Sequence, residues 1–281
     1  MRTLFKLLIV LELFAGVHMP FACAAEGPYF DHSLFEQFLK KYVNTAGEVD
    51  FSAVKKAPLL LNQYLSKLKT AAAGKDPKLW DMEKVWPREE QMAFWLNAYH
   101  AAVISEIIKK YPLRSINDIE GVWTGPAIEV GPLTFSLNTI RLERLLKVFH
   151  DEKINMALAC GARSCPPFPR EAFNALRVEG QLYLAANQRI QDERFVSVDP
   201  KKKRVFLSRI FQWYESDFVL DFGSAISDSL KFSPSQMAVL SFVRHYLQNA
   251  EQIDFIETLD YKIKYLPFDW SLPDWHQEKP A

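Results

Sequence analysis

Cys160-Gly161-Ala162-Arg163-Ser164-Cys165-Pro166-Pro167 is the stretch of this 281-residue chain whose side chains could most readily do chemistry. A thiol followed by glycine and a turn is where a scaffold presents a reactive group, and Arg163 beside it would raise the thiolate fraction. A nucleophilic role also needs a base for the thiol proton and an orienting group behind that base. The competing reading is a Cys160–Cys165 disulfide. Closing so short a loop stabilises a fold by only about 2 kcal/mol on the chain-entropy estimate. The chemistry weighs toward a disulfide or a buried structural thiol over a catalytic or redox role. C-x4-C matches no common zinc spacing, so no metal site is expected, and no motif calls for a cofactor.

Asn97 and His100 are the polar members of an otherwise apolar run, Gln91 to Ile104. At i and i+3 on a helix they share a face. The plain expectation is that each satisfies a neighbouring backbone group, because a buried amide must find partners. The functional expectation makes them the wall of a site facing Cys160, with His100 as base and Asn97 orienting or stabilising an oxyanion. Asp269, an acid between Phe268 and Trp270, is either paired or functional, and a salt bridge is the expected pairing. Arg163, Ser164 and Asp269 are the candidate binding residues.

The elements that must position these groups are legible in part. Asp31 can cap a helix with the apolar face Leu34, Phe35, Phe38, Leu39 and Tyr42. Pro58 opens a second helix, with Gly74 just past its end, and Pro87 opens a long third one stopped at Tyr111-Pro112. That third helix is apolar nearly all round and belongs in the middle of the protein. Ala127–Val130 and Leu133–Ser136 predict a hairpin, and Ser136 or Asn138 caps a helix ending near Phe149. Ile154 to Ala159 reads as a short buried strand that delivers Cys160 at its carboxyl end. A helix over about 170–192, a hairpin of 195–198 with 204–207 and a strand over 261–266 follow, with Ser208 and Ser233 as caps. The basic turn Asp199 to Lys203 reads as solvated. The predicted class is α+β, several helices around a small, mostly antiparallel sheet in one domain.

The chain opens with Arg2 and Lys6, an apolar run Leu7–Val17 and Ala22-Cys23-Ala24. This is the pattern of a signal peptide cleaved to leave Ala25 or Glu26 first, so residues 25–281 form the exported chain, periplasmic or secreted. Lipid attachment at Cys23 is disfavoured by Pro20. The run is too short to span a bilayer, and no later segment is apolar enough. Charges balance at 34 basic against 34 acidic; without Arg2, Lys6 and Glu12 they stand at 32 against 33. Nucleic acid and anionic membrane are therefore poor partners, whereas a small molecule, peptide or protein remains open. Seven tryptophans are spread along the chain, and core packing is the expected use for most of them.

Phe94 to Tyr99, Cys160 to Pro166, Leu207 to Tyr214 and Asp269 to Leu272, in this order, resemble the family catalogued as domain of unknown function five-four-seven. The resemblance runs from about Tyr42 to Leu272 and implies a globular domain, frequently exported in bacteria, with no settled activity. It also implies an acid–histidine pair where this chain has Arg141 and Leu142, a histidine where it has Asn155, and an asparagine where it has His100. A Cys–His mechanism would then require His100 to take over. The favoured reading is a non-catalytic exported module that binds a ligand or partner, stapled by Cys160 and Cys165. The alternative is a thiol-dependent hydrolase or acyltransferase using Cys160, His100 and Asn97. Thiol–disulfide exchange is weakened by a spacing other than C-x-x-C.

Overall fold

A computed structural model describes residues 30–71, 86–223 and 231–276. The expected signal sequence with Cys23, and Gly74, lie outside them.

Three short helices open the described chain: α1 (Ser33–Tyr42), α2 (Phe51–Lys56) and α3 (Leu59–Thr70). Phe35, Phe38, Leu39 and Tyr42 of α1 are buried, as their spacing predicts, although His32 rather than Asp31 holds the cap position. Asp31 still accepts a hydrogen bond from the Ser33 N–H. Helix α4 (Arg88–Lys110) is buried on every side from Glu90 to Ser105. A helix without a polar face can be stable only with other elements packed around it, and α1 to α3 and a hairpin share its core. That hairpin is β1 (Ile128–Val130) with β2 (Leu133–Phe135), antiparallel about Gly131.

The Ser136 hydroxyl accepts from the Thr139 N–H and starts a continuous helical rod. It consists of α5 (Leu137–Thr139), a π-helical stretch (Ile140–Leu146) and α6 (Lys147–Phe149).

The predicted strand over 154–159 is a correction. Ile154–Ala157 is a helical turn, α7, and the chain becomes extended only at Leu158. A short apolar run does not distinguish a buried strand from a buried helical turn. Here Asp151 decides it, accepting from the Lys153 N–H through its carboxylate and from the Ile154 N–H through its carbonyl. Cys160 therefore follows a helical turn, not a strand end.

Helix α8 (Val178–Ile190) is shorter than the predicted 170–192. Its expected first turns are held out of the helix, because Glu36 captures the Ala172 N–H and Asn97 captures Phe173.

The second half holds β3 (Val196–Asp199), β4 (Arg204–Leu207) and α9 (Arg209–Trp213). A 3-10 turn, Glu215–Phe218, leads into α10 (Val219–Phe222). Helices α11 (Pro234–Tyr246) and α12 (Ala250–Glu257) and strand β5 (Lys262–Tyr265) complete it. Strand β4 pairs antiparallel with β3 and parallel with β5, so this sheet is mixed. Ser208 and Ser233 cap α9 and α11 as expected. The result is an α+β arrangement with two apolar cores. Val178 and Leu182 of α8 enter the first and Ala186 and Ile190 the second; α7 likewise divides Ile154 from Met156. The cysteine loop leaves α7 where the two cores meet.

Candidate functional site

The loop is held at its entrance by His100. Fully buried on α4, its Nδ1 lies 2.8 Å from the Leu96 carbonyl, and its Nε2 receives the Ala159 N–H at 3.0 Å. The Ala157 carbonyl lies 3.2 Å from the same Nε2, but the Ala159 N–H can donate only to an unprotonated nitrogen, so the neutral ring carries its proton at Nδ1. Burial pushes the imidazole pKa down to about 4, so the ring is neutral near pH 7. Nδ1 spends its proton on one carbonyl and Nε2 its lone pair on one amide, which leaves no lone pair for a thiol proton. Asn97 is spent in the same manner: its Nδ2 donates to the Phe173 carbonyl and its Oδ1 accepts the Phe173 N–H, both at 2.9 Å. The plain expectation for both residues is the one their hydrogen bonds meet.

Gly161 follows at φ 82°, and a Cβ there would lie 3.0 Å from Ile107 Cδ1 and from Ile116 Cδ1. Glycine thus serves both a left-handed backbone and close packing. The Cys165 N–H returns to the Ala162 carbonyl at 3.0 Å and closes the turn. Cys160 and Cys165 are at disulfide distance, with Cα atoms 5.7 Å apart, within the span a disulfide needs.

Arg163, Ser164 and Asp269 are brought together, but by structural bonds. Ser164 donates its N–H to the Asp269 carbonyl, and its Oγ accepts the Asp269 N–H at 2.8 Å. The Asp269 carboxylate takes the N–H and hydroxyl of Ser271 in place of the expected salt bridge. Arg163 instead pairs with Glu48 at 2.7 Å and reaches the Asp274 carbonyl. All three line a broad groove of about 1780 Å³.

On the other side of the disulfide lies a smaller cavity of about 320 Å³, which both cysteines line. Its walls are aromatic: Tyr99 from α4, Trp123, Trp213 and Tyr214 at the end of α9, and Phe268 and Trp270 from the C-terminal segment. Trp213 packs at 5.7 Å on Trp270 and 4.7 Å on Phe268, between ring centres. It is 42% exposed, so the cavity reaches the surface there. Burial raises the Tyr99 hydroxyl pKa well above its ordinary value and keeps it protonated.

The polar part of the wall is Asn138, Arg141 and Asn155. Arg141 projects from the π-helical stretch, a local widening that often accompanies function. Its guanidinium carbon lies 3.5 Å from the centre of the Tyr214 ring, a cation–π stack. Its Nη2 donates to Asn155 Oδ1 at 2.8 Å and lies 3.4 Å from Asp217 Oδ2. Asn155 in turn donates to the same Asp217 oxygen at 3.0 Å. Arg141 and Asn155, two of the positions where the chain departs from the pattern of the family it resembles, therefore meet beside Cys160. Sequence reasoning did not assign them a site. The signal for the aromatic wall lay in the quoted segments Leu207–Tyr214 and Asp269–Leu272, but nothing local said they share one cavity.

Among the described residues, no cluster of three or more His, Cys, Asp or Glu side chains could hold a metal ion, and no helix is long and apolar enough to cross a membrane. Residues 84–190 match the family described as "Protein of unknown function, DUF547". The match covers α4, the hairpin, the helical rod and the cysteine loop, a narrower span than the 42–272 of the resemblance. No curated protein and no solved structure matches the chain.

Proposed function

Proceeding from a chain whose residues 84–190 match DUF547, a family with no stated activity, we propose that this is an exported, non-catalytic binding module whose ligand occupies the aromatic cavity. The observation that carries the proposal is the cysteine pair: it lies at disulfide distance in the cavity wall, and a nucleophile must be a free thiolate. His100 adds to this, since its backbone bonds leave it nothing with which to accept a proton from Cys160. The cavity has the character of a small-molecule site, mostly apolar and aromatic with a few convergent polar groups. Export is supported by the leader pattern of the first 24 residues, and it fits a pair of cysteines kept oxidised outside the cytoplasm.

The test is intact mass of protein recovered from a secreting host, with and without reductant, followed by alkylation. A chain starting at Ala25 or Glu26, heavier by two hydrogens after reduction and unlabelled before it, is expected. Two free thiols, with Cys160 alkylated much faster than Cys165 and slowed by His100→Ala, would favour the thiol hydrolase or acyltransferase. A cytoplasmic protein that keeps Met1 to Ala24 would remove the export reading.

A further inference from the structure

The cavity is apolar except at one corner, and that corner is cationic. Among the described residues that line it, Arg141 carries the sole formal charge, with Asn138 and Asn155 as the neutral polar groups. Its side chain is 12% exposed, so it has given up most of its water. The compensation it receives is incomplete. Asp217, at 3.4 Å, is more exposed than Arg141, is not part of the lining and shares its oxygen with Asn155. Both contacts use Nη2. Nε and Nη1, which are not enclosed by protein, hydrogen-bond to nothing among the described residues. Stacking on Tyr214 fixes the plane of the guanidinium, so the unused Nη1–H group is held as a donor of fixed direction, with Nε–H a separate donor on the far side of Cδ.

An anionic acceptor matches such a donor, and a carboxylate does so with a charge-assisted hydrogen bond. Around it, Trp213, Trp270 and Phe268 offer ring faces and edges to an apolar body. Resting on the reading of this cavity as the binding site, we infer that its ligand is a small aromatic or similarly flat monocarboxylate. The carboxylate accepts from Nη1 of Arg141 and the apolar body lies against Trp213 and Trp270.

Calorimetric titration of the mature, oxidised protein with 2-naphthylacetate, 2-naphthylacetamide and acetate separates the parts. The acid should bind about tenfold or more tighter than the amide, because only the acid makes the charge-assisted bond. Acetate, lacking the ring, should bind far more weakly than either. Arg141→Gln should abolish the preference for the acid, and Arg141→Lys should restore little of it, since a lysine has no planar group to stack on Tyr214 and hold its donor in place. Acid and amide binding equally well, with both weakened by Trp213→Ala, would overturn the carboxylate assignment and leave the binding site standing. No saturable binding by either aromatic probe would overturn the site together with its ligand. The comparison of acid with amide needs no substitution, so a variant that fails to fold does not protect the inference.

Discussion

Asn97 makes two hydrogen bonds to one residue, Phe173, and both are buried. Truncation to alanine leaves the Phe173 N–H and carbonyl without partners in a place water does not reach. Each stranded group costs about 1–3 kcal/mol, so Asn97→Ala should lower stability by roughly 2–6 kcal/mol in urea unfolding. Ligand affinity in the aromatic cavity should change much less, since Asn97 is not part of its wall. The reverse pattern, little loss of stability and a large loss of binding, would return Asn97 to the site. His100 belongs to the same class of residue. A histidine on a buried helix invites a catalytic reading, yet its Nε2 lies against Ala157 and Ala159 and so defines where residues 157–159 run and hence where Cys160 is delivered.

At the scale of the element, the cysteine loop is held by more than its disulfide. Its backbone is bonded to the C-terminal segment, with the Arg163 N–H on the Ser271 carbonyl and Ser164 on Asp269. Gly161 supplies the left-handed turn. The double replacement Cys160→Ser with Cys165→Ser should therefore cost about 2 kcal/mol, the entropy of so short a closed loop, without unfolding the protein. Thermal unfolding of the double variant beside the oxidised and reduced wild type checks this. A loss of twice that size would mean that the disulfide, not the surrounding hydrogen bonds, sets the loop. The rod from Leu137 to Phe149 is the other element that matters, because its π-helical stretch is what carries Arg141 into the cavity.

The whole molecule is two cores tied together by its last described residues. After β5 completes the second core, the chain returns to the first: Leu272 donates to the Arg114 carbonyl, Trp275 to Val49, and Val49 to Pro273. Helices α7 and α8 cross the same junction. Glu152 sits beside it, buried, with its Oε2 making no hydrogen bond among the described residues. Burial, with help from the neighbouring carboxyls of Asp221 and Asp151, raises its pKa to about 7. The folded state therefore holds a proton that the unfolded state has already lost between about pH 4.5 and 7, and stability falls as pH rises through that window. Glu152→Gln cannot ionise, so its stability relative to wild type should increase by roughly 1–3 kcal/mol between pH 4.5 and 8, measured by urea unfolding. A constant difference across that range would show that Glu152 titrates at its ordinary value.

The sequence by itself determined the elements whose signals are local. The buried stripe of α1, the all-round apolarity of α4, the hairpin about Gly131 and the caps Ser136, Ser208 and Ser233 are set by residues within a turn or two. It also marked the cysteine pair, because six residues span a distance that a turn can close. Tertiary structure decided the rest. Where α8 begins turned on Glu36 and Asn97, residues up to 136 positions away, whereas the helical turn at 154–157 rests on Asp151, a local signal that the apolar run masked. The partners of His100 are backbone atoms, which leave no mark in the sequence. Tyr99, Arg141, Asn155, Trp213 and Trp270 come from separate elements, and only the packing of two cores around α7 and α8 makes them one wall.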